Sequence, residues 1–168
     1  RDIGIDSLRT NGPIYRSMHP GQDSLSFVSP YAIYNYGTRT LDAREVPFIE
    51  VADAYVFPHQ GNVEIGMQAA MSELENARLL ANQENRQHMI FDATIKVNGA
   101  LDYTGSGYYN YTDAFNNSYL IYFSRIWVDT TIQSQSRGEI TEEDLFMLSP
   151  FFDFKGEVTL AASSPTLL

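Results

Sequence analysis

The sequence predicts an all-β protein, either a short β-solenoid or a jellyroll-like β-stack, with at most one or two short helical turns. Two observations predict this class. Aromatic residues make up 13% of the 168 residues, including 11 Tyr and 10 Phe, and these residue types favour strands. Apolar and polar residues alternate in several short runs, which glycine, proline or asparagine separates from one another.

We expect one β domain, residues 23–168, preceded by an extended segment, residues 1–22, that packs on its body. A chain of this length buries about 70% of its unfolded surface, which is enough for one core. Residues 24–36 alternate in polarity with a bend at Pro30, and residues 37–40 have the composition of a turn. Because the sequence starts without Met and ends in apolar residues, we interpret it as a piece of a longer chain.

Residues 67–88 carry conflicting signals. They are rich in Ala, Leu, Met, Glu and Gln, and their apolar residues recur at steps of three and four, a pattern typical of a helix. Against a helix, residues 76–81 parallel residues 92–97, which have the composition of a strand. The residues alone leave helix and strand open for this segment.

Loosely spaced segments that open with glycine recur at residues 61–65, 138–141 and 156–160. Repeats of a turn and a short strand are typical of solenoids and of stacked β-folds. Residues 141–144, Thr-Glu-Glu-Asp, have a capping Thr and acidic residues where a helical turn begins. One short helical turn is therefore predicted there.

Charge and composition exclude several function classes. The net charge of -10 opposes binding to nucleic acid or to anionic membrane surfaces, both of which need Lys and Arg. The absence of cysteine excludes disulfides, thiolate metal sites and cysteine nucleophiles. No run of about 18 apolar residues is present, so no transmembrane segment is predicted.

Residues 99–129 contain the densest group of aromatic and turn residues, together with the only tryptophan. Exposed Tyr and Trp rings can stack on sugars while Asn side chains bond hydroxyls, so residues 103–122 are a candidate glycan-binding surface. The alternative is that strand parity turns some of these tyrosines into the core. The candidate ligand-binding residues are Tyr103, Tyr108, Tyr109, Tyr111, Asn110 and Trp127.

No catalytic residue, metal ligand or cofactor is predicted. His19, His59 and His88 have no spacing that would place two of them on one face. Acidic pairs keep a polysaccharide hydrolase or lyase open as an alternative, since glycosidases use two carboxylates. These pairs come from Glu142, Glu143 and Asp144, from Glu73 and Glu75, and from Glu50 and Asp53.

Four segments together resemble a family of large cell-envelope proteins from Bacteroidetes-type bacteria. They are residues 19–27 (HPGQDSLSF), 46–58 (VPFIEVADAYVFP), 103–111 (YTGSGYYNY) and 148–156 (LSPFFDFKG). This resemblance implies a β-rich internal module of an exported protein, periplasmic or on the cell surface. It also implies that residues 67–88 are mainly extended.

A fainter resemblance, in residues 29–34 (SPYAIY) and 41–46 (LDAREV), is to the β-jellyrolls of lipopolysaccharide-transport bridge proteins. The first expectation for function is a non-enzymatic structural or interaction module that contacts its parent chain or other envelope proteins. A glycan-binding module is the second, and a polysaccharide hydrolase or lyase or a lipid conduit are further alternatives.

Overall fold

The computed structural model describes residues 12–113, 115–149 and 151–167. These residues form strands and short 3-10 turns, which confirms the all-β prediction. The strands are β1 (Ile14–Arg16), β2 (Ser26–Val28), β3 (Tyr31–Asn35), β4 (Thr40–Arg44), β5 (Ile49–Val51), β6 (Ala54–Phe57), β7 (Val63–Ile65), β8 (Leu74–Ala81), β9 (His88–Gly99), β10 (Asp102–Thr112), β11 (Ser118–Val128), β12 (Ser134–Ile140), β13 (Met147–Ser149), β14 (Phe152–Asp153) and β15 (Gly156–Ala161).

Short 3-10 turns connect some of these strands. Four are present in the described residues, more than the one or two expected, at Pro20–Gln22, His59–Gly61, Met67–Ala69 and Glu142–Asp144. The last of them is the predicted helical turn. Its capping box joins Thr141 and Asp144, as the Thr-Glu-Glu-Asp pattern indicated.

Ten strands form one antiparallel sheet in the order β1-β2-β5-β6-β8-β9-β10-β11-β12-β15. Neighbours in this sheet follow one another along the chain, apart from excursions that form a sheet of β3, β4 and β7 and a pair of β13 and β14. A solenoid is not found, because this order is that of a meander of adjacent antiparallel strands. Jellyroll connectivity is not demonstrated by this order either.

The large sheet curls around one hydrophobic core without closing into a barrel. Phe27 of β2 and Leu160 of β15, which point inward from strands near opposite ends of the sheet, belong to the same buried cluster. The segment after β15 also reaches the start of β9, where His88 Nε2 lies 2.6 Å from the carbonyl oxygen of Ser164. This contact joins the segment that follows the last strand to the middle of the sheet.

Residues 74–81 form strand β8 in spite of their helical composition, as the family resemblance implied. The parallel between residues 76–81 and 92–97 has a structural basis, because Ala77 of β8 pairs with Ala93 of β9. Asn76 and Asp92, which precede them, both have positive φ angles of 51° and 43°. The similarity between the two segments therefore reflects irregularities that face each other in neighbouring strands. Strand pairing overrides the helical preference of residues 74–81, which is about a few tenths of a kcal/mol per residue.

The expected extended segment 1–22 is only partly described, because residues 1–11 lie outside the described residues. From residue 12 onward, β1 pairs with β2 and so joins the large sheet. The bend expected at Pro30 separates β2 from β3, which belong to different sheets. Ser29 is fully buried there, and its hydroxyl lies 2.7 Å from the carbonyl oxygens of Tyr31 and Arg44.

Candidate functional site

The tyrosine-rich run folds into the hairpin of β10 and β11, which lies inside the large sheet between β9 and β12. In the loop between these strands, the Asp113 carboxylate accepts hydrogen bonds from the amides of Phe115 and Asn117, both at 2.8 Å. These bonds lower the pKa of Asp113, the side-chain bond from Asn117 having the largest effect. The loop fixes a register in which Tyr108 lies opposite Tyr122.

The close approach of β9 and β10 depends on a glycine next to Tyr108. A Cβ atom at Gly107 would lie 2.7 Å from Cγ2 of Ile90, closer than side chains tolerate. Gly107 therefore lets the inner sides of both strands pack tightly while Tyr108 points outward.

Tyr108 and Tyr122 form an aromatic pair on the outer face of the sheet. Their ring centroids are 5.0 Å apart and the ring planes are tilted by 46°. The side chains are 38% and 45% exposed, so both rings are accessible from solvent. Exposed, adjacent aromatic faces of this kind can stack against a flat apolar surface of a ligand.

A cavity of about 360 Å³ adjoins this pair. Leu120, which is 62% exposed, contributes an apolar wall, and Glu139 and Asp144 contribute carboxylates. Asp144 is partly engaged in the capping box, where it accepts a hydrogen bond from the Thr141 hydroxyl at 2.8 Å. Glu139 is exposed and can accept hydrogen bonds from a ligand.

Tyr103, in contrast, is fully buried and takes part in a polar network inside the fold. Its hydroxyl bonds the Ser134 hydroxyl, which in turn donates to the Asp53 carboxylate. Because Ser134 has only one hydroxyl proton, Tyr103 is the donor in the first bond. Burial raises the pKa of Tyr103 well above its usual range, so the phenol stays protonated.

Tyr109 and Tyr111 also face inward and do not join the outer surface. Tyr109 stacks on Phe123, and its hydroxyl lies 3.1 Å from His88 Nδ1. Burial raises the pKa of Tyr109, with a smaller contribution from Tyr111. Tyr111 packs against Phe146, at a centroid distance of 5.6 Å.

The other two predicted residues, Asn110 and Trp127, lie towards opposite ends of the hairpin. Asn110 is exposed and pairs with Leu120, so it lies beside the aromatic pair. Trp127 lies near the far end of β11, where Arg125 stands over its ring at 4.9 Å from the centroid. Of the predicted residues, the structure thus brings Tyr108 and Asn110 together and separates the others from them.

Tyr122 lies within the predicted surface of residues 103–122 but was not among the candidate residues, and Glu139 and Asp144 were not predicted as members of the site. Tyr122 could have been found from the hairpin loop: a turn centred on residue 115 places residue 122 opposite residue 108. Glu139 and Asp144 depend on the pairing of β12 with β11, for which the local sequence contains no signal.

A second surface depression carries the predicted acidic residues Glu73 and Glu75. Together with Asp42 and Glu64 they line a groove of about 480 Å³, and Glu64 accepts a hydrogen bond from the Ser72 hydroxyl at 3.1 Å. Within residues 12–113, 115–149 and 151–167, no group of three or more His, Asp or Glu side chains is placed to hold a metal ion.

None of the helical turns in the described part of the chain has the length and apolar character needed to cross a membrane.

Comparison with protein-family models, curated proteins and solved structures gives no match to this chain. The resemblance to envelope proteins therefore stays a prediction.

Proposed function

We propose that the outer face of the β10–β11 hairpin binds a glycan. The observation that carries this proposal is the exposed pair of Tyr108 and Tyr122 beside a cavity with carboxylates. Sugars present flat C–H faces that stack on aromatic rings and hydroxyls that need acceptors. An apolar surface with a few convergent polar groups is the usual composition of a small-ligand site.

The polar groups at the site suit hydroxyl-bearing ligands. Glu139 offers a carboxylate acceptor, and Asn110, next to the pair, offers both a donor and an acceptor. The chain has a net charge of -10, so an anionic ligand would meet repulsion on approach. These features favour a sugar over a phosphate or nucleic acid.

A glycan array followed by calorimetric titration of the bound glycans tests the proposal. We expect binding by the wild type and at least about a tenfold rise in Kd for Tyr122→Ala. Tyr36→Ala is the matched control, because Tyr36 is 86% exposed but lies outside the large sheet. An array without signal, or a Tyr122→Ala protein that binds like the wild type, would overturn the proposal.

A structural or interaction module of an exported cell-envelope protein is the second candidate. It is supported by the outer strands β1 and β15, each of which has one neighbour in the described sheet, and by Ile14 of β1, which is 67% exposed. Unpaired strand edges are sites where further strands can add. Partners would then be other parts of the parent chain or other envelope proteins.

Sedimentation over a range of concentrations tests this second candidate. Association that Ile14→Lys weakens would support it, and a monomer at every concentration would count against it. An export signal upstream in the coding sequence would support the periplasmic or cell-surface location, whereas a complete reading frame without one would contradict it.

Enzymatic activity is tested by incubating the protein with the same glycans. Release of reducing ends would indicate a hydrolase, and release of unsaturated products would indicate a lyase. A lipid conduit would need a continuous apolar channel, but inward side chains such as Ile90, Phe123 and Ile126 belong to one packed cluster. This packing gives the conduit no support.

A further inference from the structure

The aromatic pair is part of a longer row that crosses the strands. Phe91 of β9 pairs with Tyr108 of β10, which pairs with Tyr122 of β11. All three side chains are on the outer face, and Phe91 is 39% exposed. Since neighbouring strands lie about 4.8 Å apart, the row extends for roughly 10 Å perpendicular to the strands.

Carboxylates follow this row on the next strands of the sheet. Glu139 of β12, which lines the same cavity as Tyr122, pairs with Glu157 of β15. Glu157 forms an ion pair with Arg137. Glu139 forms no ion pair within the described part of the chain, so an uncompensated negative charge lies at this end of the row.

We propose that this surface takes a linear, uncharged glycan chain that lies across the strands, with consecutive sugar units on Tyr122, Tyr108 and Phe91. The proposal rests on the glycan-binding function proposed above and adds the length and the charge of the ligand. Sugar units on Tyr122 and Tyr108 would place a third unit over Phe91.

The geometry favours a chain over a terminal sugar. A single sugar needs only the cavity beside Tyr122, and Phe91 would then have no role in binding. The spacing of the row is comparable to the advance of one sugar unit in an extended chain, so each strand presents one ring to one unit. Glu139 accepts hydrogen bonds from hydroxyls but repels the carboxylate of an acidic sugar.

Oligosaccharide ladders of one to six units test the proposal by titration calorimetry. The neutral probes are β-1,4-linked glucose, β-1,4-linked xylose and α-1,4-linked glucose oligomers, and the acidic probe is an oligogalacturonate ladder. We expect the affinity for a neutral ladder to rise up to about three units and then level off. Phe91→Ala should remove the gain between two and three units, roughly three- to tenfold, and leave the affinity for two units unchanged.

Charge is tested with Glu139→Gln, which keeps the shape of the side chain. We expect the wild type to reject the acidic ladder and Glu139→Gln to bind it measurably better. Phe151→Ala is the control for loss of an exposed ring, because Phe151 is 90% exposed and lies outside the row.

The outcomes separate this inference from the proposed function. Equal affinity for one sugar unit and for six units would overturn the proposal that the ligand is a glycan chain, but it would leave the glycan site in place. Acidic oligomers that bind as tightly as neutral ones would overturn the charge preference. Failure of every ladder and of the glycan array would overturn the proposed function itself, and a protein partner on the same face would then be the occupant to seek.

Discussion

The two faces of the β10–β11 hairpin use the same residue type for different purposes. On the inner face, Tyr103 and Tyr109 are packed in the core and bond Ser134 and His88. On the outer face, Tyr108 and its cross-strand neighbour Tyr122 are open to solvent. The register of the strands, rather than the abundance of tyrosine, therefore decides which rings can meet a ligand.

That register is secured at both ends of β11 by loops of the same design. Asp113 accepts hydrogen bonds from the amides of residues 115 and 117, and Asp129 accepts them from the amides of residues 131 and 133. A slip by one residue would exchange the two faces of the hairpin. The aromatic site therefore depends on loops that do not themselves line it.

The largest contrast between the faces is expected for Phe123 and Tyr122, which are neighbours in sequence. Phe123 is fully buried, so Phe123→Ala should lower the free energy of unfolding by about 3–5 kcal/mol through lost contacts and a cavity. Tyr122→Ala, on the outer face, should lower it by only about 1 kcal/mol, chiefly through loss of the pair with Tyr108. Urea denaturation of both variants measures this, and similar losses for the two would show that the faces are not distinct.

A smaller contrast is expected from removing single hydroxyls. Tyr103→Phe takes away the donor to Ser134 and leaves a buried hydroxyl oxygen unsatisfied, which should cost about 1–3 kcal/mol. Tyr108→Phe removes a hydroxyl from the exposed face and should stay within about 0.5 kcal/mol of the wild type. Thermal unfolding of the two variants is the measurement. A neutral Tyr103→Phe would mean that the network with Asp53 does not stabilise the fold.

Much of this division was predictable from the sequence, because alternation in a strand sends neighbouring tyrosines to opposite faces. The hairpin loop that begins at Asp113 also fixes which residues face each other. The outer partners Phe91 and Glu139 were not predictable, since they depend on pairing with β9 and β12.

The strand at residues 74–81 shows a second limit of the sequence. Its composition favours a helix, yet Leu74, Ala77 and Leu79 are buried as part of a strand between β6 and β9. Helical preference is weak for each residue, whereas a place inside a ten-stranded sheet satisfies backbone hydrogen bonds on both sides. Pairing with neighbouring strands therefore outweighs local composition in deciding the secondary structure of this segment.

The loops allow the register to be tested without touching either face. Asn116 and Ile132 occupy equivalent positions in them, with φ angles of 64° and 61°. Asn tolerates this left-handed conformation, but a branched side chain is strained by about 1–2 kcal/mol. Ile132→Asn should therefore stabilise the protein by about 1 kcal/mol, and Asn116→Ile should destabilise it by a similar amount, as measured by urea denaturation. Equal effects of the same sign would contradict the equivalence of the loops.

The smallest expected effect is the response of both loops to acid. Hydrogen bonds lower the pKa of Asp129, chiefly through the Thr131 side chain, just as the Asn117 side chain does for Asp113. A carboxyl group whose pKa is lowered by folding stabilises the protein fully above its ordinary value of about 3.9 and loses this contribution as the pH falls through the lowered value. The loop amides should therefore lose protection from hydrogen exchange only below about pH 4.

Residue-resolved NMR of the amides of Asn117 and Gln133 follows the two loops separately. In Asp113→Asn the side-chain oxygen remains but cannot titrate, so the acid response should disappear at Asn117 and persist at Gln133. Loss of the response at both loops would mean that they are coupled through β11. An unchanged response at Asn117 would mean that the Asp113 carboxylate does not hold that end of the hairpin, and the register of the aromatic row would then depend on the other strands alone.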